Sequence, residues 1–248
     1  FTVRGIPDGM GAMRNADGTI TLLSSHEVPS YGAVGALAKA ADKGKLTLGT
    51  SITKFTLNAN GDRVLKASNF ITSWSFYNYN TKEYQASPSG AAPATQTLGM
   101  DNFISRFCSA TLVQAGKLSF KDGSTTLGYD GAVYLAGEED GDSGYARAFA
   151  FDMDGNAVNF ARMGLASWEN LMPNLKPGKN TVVMGNEDGS ATDSQLFMYV
   201  GTKTATGTFA DKAGFTNGDL HVLNVPNIAN DNAFRAAYGK NTPVDVTF

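Results

Sequence analysis

The sequence predicts an all-β chain, a β-propeller that supplies about five blades or an incomplete ring. Composition and internal repetition carry this reading. The 248 residues combine 42% hydrophobic with only 17% charged residues and include 28 glycines. The surface must therefore be rich in Gly, Ser, Thr and Asn, which suits strands joined by tight turns and argues against helical bundles and disorder. Two internal matches then set a period. AVYLAGEEDG and TVVMGNEDGS stand 49 residues apart (132 to 181), and FTLNANGDRV and FAFDMDGNAV stand 94 apart (55 to 149), close to twice the first spacing. Repeats of roughly 40–50 residues with several strands in each mark propeller blades. The expectation is one domain over residues 1–248, truncated at its C-terminal end.

The elements follow in order. Residues 1–12 crowd glycine and proline around Asp8 and read as a structured loop. Asn15-Ala16-Asp17-Gly18 is a turn signal, and the β-branched run 19–23 is a strand that leads into Ser24-Ser25-His26-Glu27. The Ala-rich stretch 32–41 reads as a short helix weakened by Gly32 and Gly35. A hairpin turns at 58–62, and the aromatic, then Pro/Gly-rich stretch 68–100 reads as an excursion over the surface. Residues 101–112 lead to a Lys121-Asp122-Gly123 turn, and 146–160 form a second hairpin. Residues 195–203 and 219–225 are strands, and 226–248 are less regular.

The stretch 132–144 sets the chemistry. An apolar run ends at Gly137 and is followed at once by Glu138, Glu139, Asp140 and Asp142. Unpaired carboxylates are costly in a core, but they are good hard ligands for a cation. Other strand ends repeat the pattern with Glu27, with Glu169 in Ser167-Trp168-Glu169-Asn170, and with Glu187 beside Asp188. In a propeller the equivalent strand ends converge on one mouth of the channel, so these acids would form a ring that cations must neutralise. Each is otherwise a solvated turn acid beside a glycine. Cys108, the single cysteine, is either a small buried hydrophobe or a thiolate ligand. The two histidines, His26 and His221, have no zinc spacing. Asp152-Met153-Asp154-Gly155-Asn156 has its glycine misplaced for a calcium loop and reads as a hairpin turn.

Net charge of −3 without a basic stripe argues against a nucleic-acid partner, and no apolar run is long enough for a transmembrane segment. The chain begins at Phe1, which reads as a processed product with any signal peptide removed.

An ordered series of short motifs spans nearly the whole chain. These are Gly5 to Ala12 (GIPDGMGA), Ser25-His26-Glu27, Arg106-Phe107-Cys108-Ser109, Gly137-Glu138-Glu139, Ser167-Trp168-Glu169-Asn170, and Gln195 through Tyr199 to Lys203. The series resembles the PhoX family of secreted bacterial alkaline phosphatases and related proteins. That resemblance implies a six-bladed propeller in the periplasm or medium, with iron and calcium held by carboxylates and one cysteine, and hydrolysis of small phosphate monoesters. On the same basis Cys108 is an iron ligand, Glu27 and Glu139 ligate iron or calcium, and Glu138, Glu169, Glu187 and Asp188 are further carboxylate candidates. The family's later Arg-Pro-Glu-Asp-Gly segment, which supplies a phosphate-binding arginine, does not occur before Phe248. The expectation is therefore either association with a missing C-terminal segment or loss of part of the site. Two functions follow: a metal-dependent phosphoester hydrolase, or a non-catalytic extracellular calcium-binding propeller with an adhesion, matrix or assembly role.

Overall fold

A computed structural model describes residues 5–27, 50–88, 90–91, 104, 106–139, 146–189, 194–238 and 242–248. The short helix expected at 32–41 lies outside the described residues. The described chain is mostly strand, in antiparallel sheets that do not close into a barrel.

Three four-stranded antiparallel units account for most of it. The first is the meander β1 (Ile6–Arg14), β2 (Ile20–Glu27), β3 (Ile52–Leu57) and β4 (Val64–Asn69). In the second, β7 (Phe107–Val113), β10 (Val133–Glu138), β11 (Ala148–Asp152) and β12 (Asn156–Asn159) lie in that order. The hairpin β8 (Leu118–Asp122) and β9 (Thr125–Tyr129) is inserted between β7 and β10 as a separate two-stranded sheet. The third is the meander β13 (Trp168–Pro173), β14 (Asn180–Glu187), β15 (Leu196–Thr202) and β16 (Asp219–Val222). Short helices α1 (Phe209–Ala213) and α2 (Asp231–Ala237) flank β16 in sequence.

The second sheet is the middle layer, and its sequence says why. Val133 and Leu135 of β10 join the core shared with Trp168, Val183 and Tyr199 of the third sheet. Tyr134 and Ala136 join the core shared with Leu23 and Ile52 of the first. β11 divides in the same way, with Ala148 and Ala150 on one side and Phe149 and Phe151 on the other. A strand buried on both faces reads as an unbroken apolar run, which is the physical origin of VYLA and AFAF. Small residues on one face are matched by aromatic rings on the other. Phe149 stands edge-on to Trp74, Phe76 and Phe107, with centroids 5.4, 5.9 and 5.7 Å away.

The structure corrects three expectations. Residues 6–14 form a strand, although the glycines and Pro7 suggested a loop. Part of the presumed excursion 68–100 forms β5 (Ser73–Asn78) and β6 (Glu83–Gln85), with β5 running parallel to β12, because Trp74 and Phe76 supply core. The repeat count also changes. The match at spacing 49 aligns β10 with β14, the second strand of each sheet. The match at spacing 94 aligns the β3–β4 turn with the β11–β12 turn, which belong to neighbouring sheets and not to sheets two apart. The β5–β6 and β8–β9 hairpins lengthen this interval, so the described residues hold three four-stranded units, the middle one extended by β5 and β6 to six strands, where the sequence suggested about five blades or an incomplete ring. Gly61 and Gly155 hold the same place in their turns with φ of 77° and 86°, a conformation that favours glycine.

Replacing Phe149 by Ala should destabilise the protein by about 3–5 kcal/mol, since it empties a fully buried aromatic site. Val64→Ala, on the exposed face of β4, should stay within about 0.5 kcal/mol of wild type in urea unfolding. Equal effects would contradict the assignment of the middle layer.

Candidate metal centre

The first strands of the three units lie side by side, β1 and β13 each packing on β7. Each first strand carries an extra residue where it begins. Pro7 pairs with His26 and Met10 with Ser24, so Asp8 and Gly9 stand opposite Ser25 alone. Glu138 pairs with Phe107 and Ala136 with Ala110, so Cys108 and Ser109 stand opposite Gly137. Trp168 pairs with Glu187 and Asn170 with Asn186, leaving Glu169 unopposed. A bulge of this kind re-aims a side chain out of the ladder. The bulged positions are Asp8, Cys108 and Glu169. Beside them stand Glu27, the last residue of β2, and Glu139 and Asp188, the residues that follow β10 and β14.

These six residues form one cluster. Ligand-capable atoms of Asp8, Glu27 and Cys108 lie within 4.8 Å of one another, and those of Cys108, Glu139 and Glu169 do likewise, so the thiol belongs to both groups. Cys108 Sγ is 3.6 Å from Asp8 Oδ2 and donates to it. Asp188 lies close enough to the Glu139 carboxyl to raise its pKa. Arg106 clasps Glu139 from one side, donating from Nη2 to Oε1 at 3.1 Å and from Nε to the backbone carbonyl at 2.7 Å. The Arg106 backbone bridges to Glu27 and accepts from the Glu139 N–H at 3.0 Å, tying the ends of β2 and β10 together. Below the cluster the buried Tyr134 hydroxyl donates to the Gly9 carbonyl at 2.9 Å and lies 2.9 Å from Ser25 Oγ.

Electrostatics record the crowding. Burial pushes the Cys108 thiol far above its usual range, and Glu139, Glu27 and Glu169 push it further. Burial raises Asp8, and the Glu27 carboxyl adds to the rise. Glu169 is raised by burial and then by Asp188, Asp8 and Glu27. Glu139 is raised by burial and by Asp188, while Cys108 and Arg106 pull it down. Five carboxyl groups and a thiol thus share one guanidinium among the described residues.

Of the sequence candidates, Cys108, Glu27, Glu139, Glu169 and Asp188 come together. Glu138 is buried on the adjoining position, where its Oε2 accepts from the Arg147 N–H at 3.2 Å. Glu187 ends β14 outside both ligand groups, and its N–H donates to the Gln195 carbonyl at 3.1 Å. Asp140 and Asp142 lie outside the described residues. His26 is fully buried with Nε2 2.8 Å from Thr53 Oγ1, and burial holds its imidazole below the usual range. His221 sits in β16, on the outer edge of the third sheet. Asp152 accepts from the N–H groups of Asp154 and Asn156, at 3.1 and 3.0 Å, and closes a hairpin turn.

Sequence reasoning missed Asp8 and Arg106 as members of the site. The signal for Asp8 was a glycine on its C-terminal side and an acid at the paired end of β2, but glycine and proline nearby concealed the strand. Comparison with models of known protein families, with curated proteins and with solved structures finds no match.

The raised carboxyls fix the sign of one pH effect. A carboxyl whose folded pKa lies above its unfolded value contributes full stability below the unfolded value and loses it as pH rises through the folded one. Without metal, Asp8, Glu139 and Glu169 should therefore cost stability as pH climbs from about 4. Glu169→Gln should raise the Tm of chelator-treated protein, by a margin that widens as pH rises from about 4.5 to 7. A margin that narrows or reverses over that interval contradicts the crowding.

Proposed function

We propose that the chain is a metal-dependent hydrolase of phosphate monoesters, similar to the PhoX family, and that its four-stranded units are blades of a β-propeller. The observation that carries the reading is the convergence of Asp8, Glu27, Cys108, Glu139 and Glu169, from strands far apart in sequence, on two ligand groups that share one thiol. Acids so placed repel one another unless cations sit among them. The donor chemistry fits the metals expected from the sequence. Carboxylate oxygens suit calcium, and a thiolate suits a transition ion such as iron in preference to calcium. Side-by-side first strands and adjacent second-strand ends are what a propeller channel mouth requires.

On this reading Asp8, Glu27 and Cys108 hold one cation, and Cys108, Glu139 and Glu169 hold a second, with Asp188 beside Glu139. Bound cations supply Lewis acidity, which neutralises phosphoryl oxygens and lowers the pKa of an attacking oxygen. The chain's own part is to fix the ligands. Arg106 orients Glu139 through two hydrogen bonds, and the bulges aim Asp8, Cys108 and Glu169 to one point. The carboxyls and thiol give up their protons as they become ligands, so binding weakens as pH falls. The cellular setting belongs to the same proposal, a bacterial periplasmic or secreted protein.

A second reading, a calcium-binding scaffold without turnover, draws on the ligand groups themselves, in which carboxylates outnumber the single thiol and by themselves suit calcium. Elemental analysis of natively purified protein and hydrolysis of p-nitrophenyl phosphate separate the two. The hydrolase contains iron and calcium, loses activity on chelation and regains it with both ions. Cys108→Ala with Glu139→Ala should lower activity at least about 100-fold, the upper range seen when outer partners of a metal site are removed. Calcium without iron and no turnover establishes the scaffold. Full activity in the double variant would sink the site assignment.

A further inference from the structure

The first sheet carries a second constellation, of opposite charge. Strand alternation puts Lys54 and Thr56 on one face of β3, and Lys66 and Ser68 on one face of β4. The register pairs Lys54 with Ser68 and Thr56 with Lys66. The four side chains therefore form a quartet with ammonium groups on one diagonal and hydroxyls on the other. The quartet lines a cavity of about 210 Å³, walled by Phe70 and Thr72 from the same unit and by Met153 and Asp154 from the β11–β12 turn.

Asp154 is the one carboxylate among the residues that line this cavity. Neither lysine forms an ion pair there, and Lys54 Nζ stands 5.9 Å from the centre of the Phe70 ring. The Thr56 and Ser68 hydroxyls likewise have no hydrogen-bond partner among the described residues. The Thr72 hydroxyl is already used, donating to the Asp154 carbonyl at 2.9 Å. Diagonal neighbours on paired strands stand roughly 7–8 Å apart at their backbones, so the two lysines bring like charge to one small cavity that an anion between them would offset.

We propose that the quartet binds a tetrahedral oxyanion, a phosphoryl or sulfuryl group, on a small ligand whose body rests against Phe70 and Met153. Two point charges and two hydroxyl donors converge from four corners, which matches the several acceptor oxygens of a tetrahedral group. Planar carboxylates are better held by the fork of an arginine, and no arginine lines the cavity. Asp154 on the wall admits a ligand that also carries a hydroxyl donor. The cavity is smaller than the roughly 300–1,000 Å³ of sites for drug-sized ligands, so the ligand is about the size of a phosphate or a phosphorylated single ring.

The test is calorimetric titration of the full chain, stripped of metal and desalted, with inorganic phosphate, sulfate and acetate at low ionic strength. Stripping removes any anion binding by metals at the carboxylate cluster, so a failed metal proposal leaves this result unaffected. Phosphate and sulfate should saturate one site with Kd on the order of 1 mM, weakening as salt is added. Lys54→Gln with Lys66→Gln should weaken both at least about tenfold, Lys54→Arg with Lys66→Arg should retain binding, and acetate should bind at least about tenfold more weakly than phosphate. Absence of saturation, undiminished binding in the Gln variant, loss in the Arg variant, or acetate as tight as phosphate overturns the proposal.

Discussion

The structure turns on how closely β1 and β13 approach β7. At Gly9 a side chain would run into the backbone of Ser109 and Ala110, so only glycine permits the contact. On the other flank the Ser109 hydroxyl donates to the Glu169 carbonyl, and a Cβ on Gly137 would come within 2.5 Å of Trp168. Strands this close leave bulged residues no room to diverge. Asp8, Cys108 and Glu169 are brought together by backbone contact, and the acids at the ends of β2 and β10 follow because Glu27 and Glu139 are both tied to the backbone of Arg106, just before β7.

That contact has an electrostatic cost. Carboxyls and a thiol are held above their usual pKa ranges by burial and by one another, and Arg106 offsets only part of it. The apolar layers must carry the difference. They do so through a middle sheet with no polar face, whose β10 is buried at every position and feeds both cores. Stability and the strained cluster therefore come from the same strand. VYLA is anchored in the cores, and the acids lie one step beyond its end.

Much of this was legible in the sequence, and the failures have physical causes. The acids at strand ends were readable because an apolar run that stops at a carboxylate is a rare and costly pattern. The spacing of 49 aligned equivalent strands correctly, since the interval between β10 and β14 contains no inserted hairpin. The spacing of 94 misled, because two hairpins add length between neighbouring four-stranded units without adding another such unit. Periodicity measures sequence, and insertions change sequence length while the packing repeat stays fixed. Asp8 was hidden for a related reason. Glycine and proline ordinarily mark loops, but in β1 they mark a bulge and a close approach. The Lys54 and Lys66 quartet was equally invisible, since only the register of β3 on β4 makes neighbours of residues that far apart.

The three bulged positions are equivalent in the fold but not in chemistry, and the difference has a logic. The outer two carry carboxyls, and the middle one, shared by both ligand groups, carries the thiol. A carboxylate there would add a further negative charge at the most crowded point, between Glu27 on one side and Glu139 on the other. A thiol with its pKa pushed up stays neutral in the metal-free protein, and the cluster can fold around it. On the proposed reading it becomes anionic only when a cation replaces its proton, so the central charge appears together with the ion that balances it. A serine would also be neutral, but it would not offer the soft, polarisable donor that a transition ion prefers. Cysteine is the residue that meets both demands at the centre of five acids.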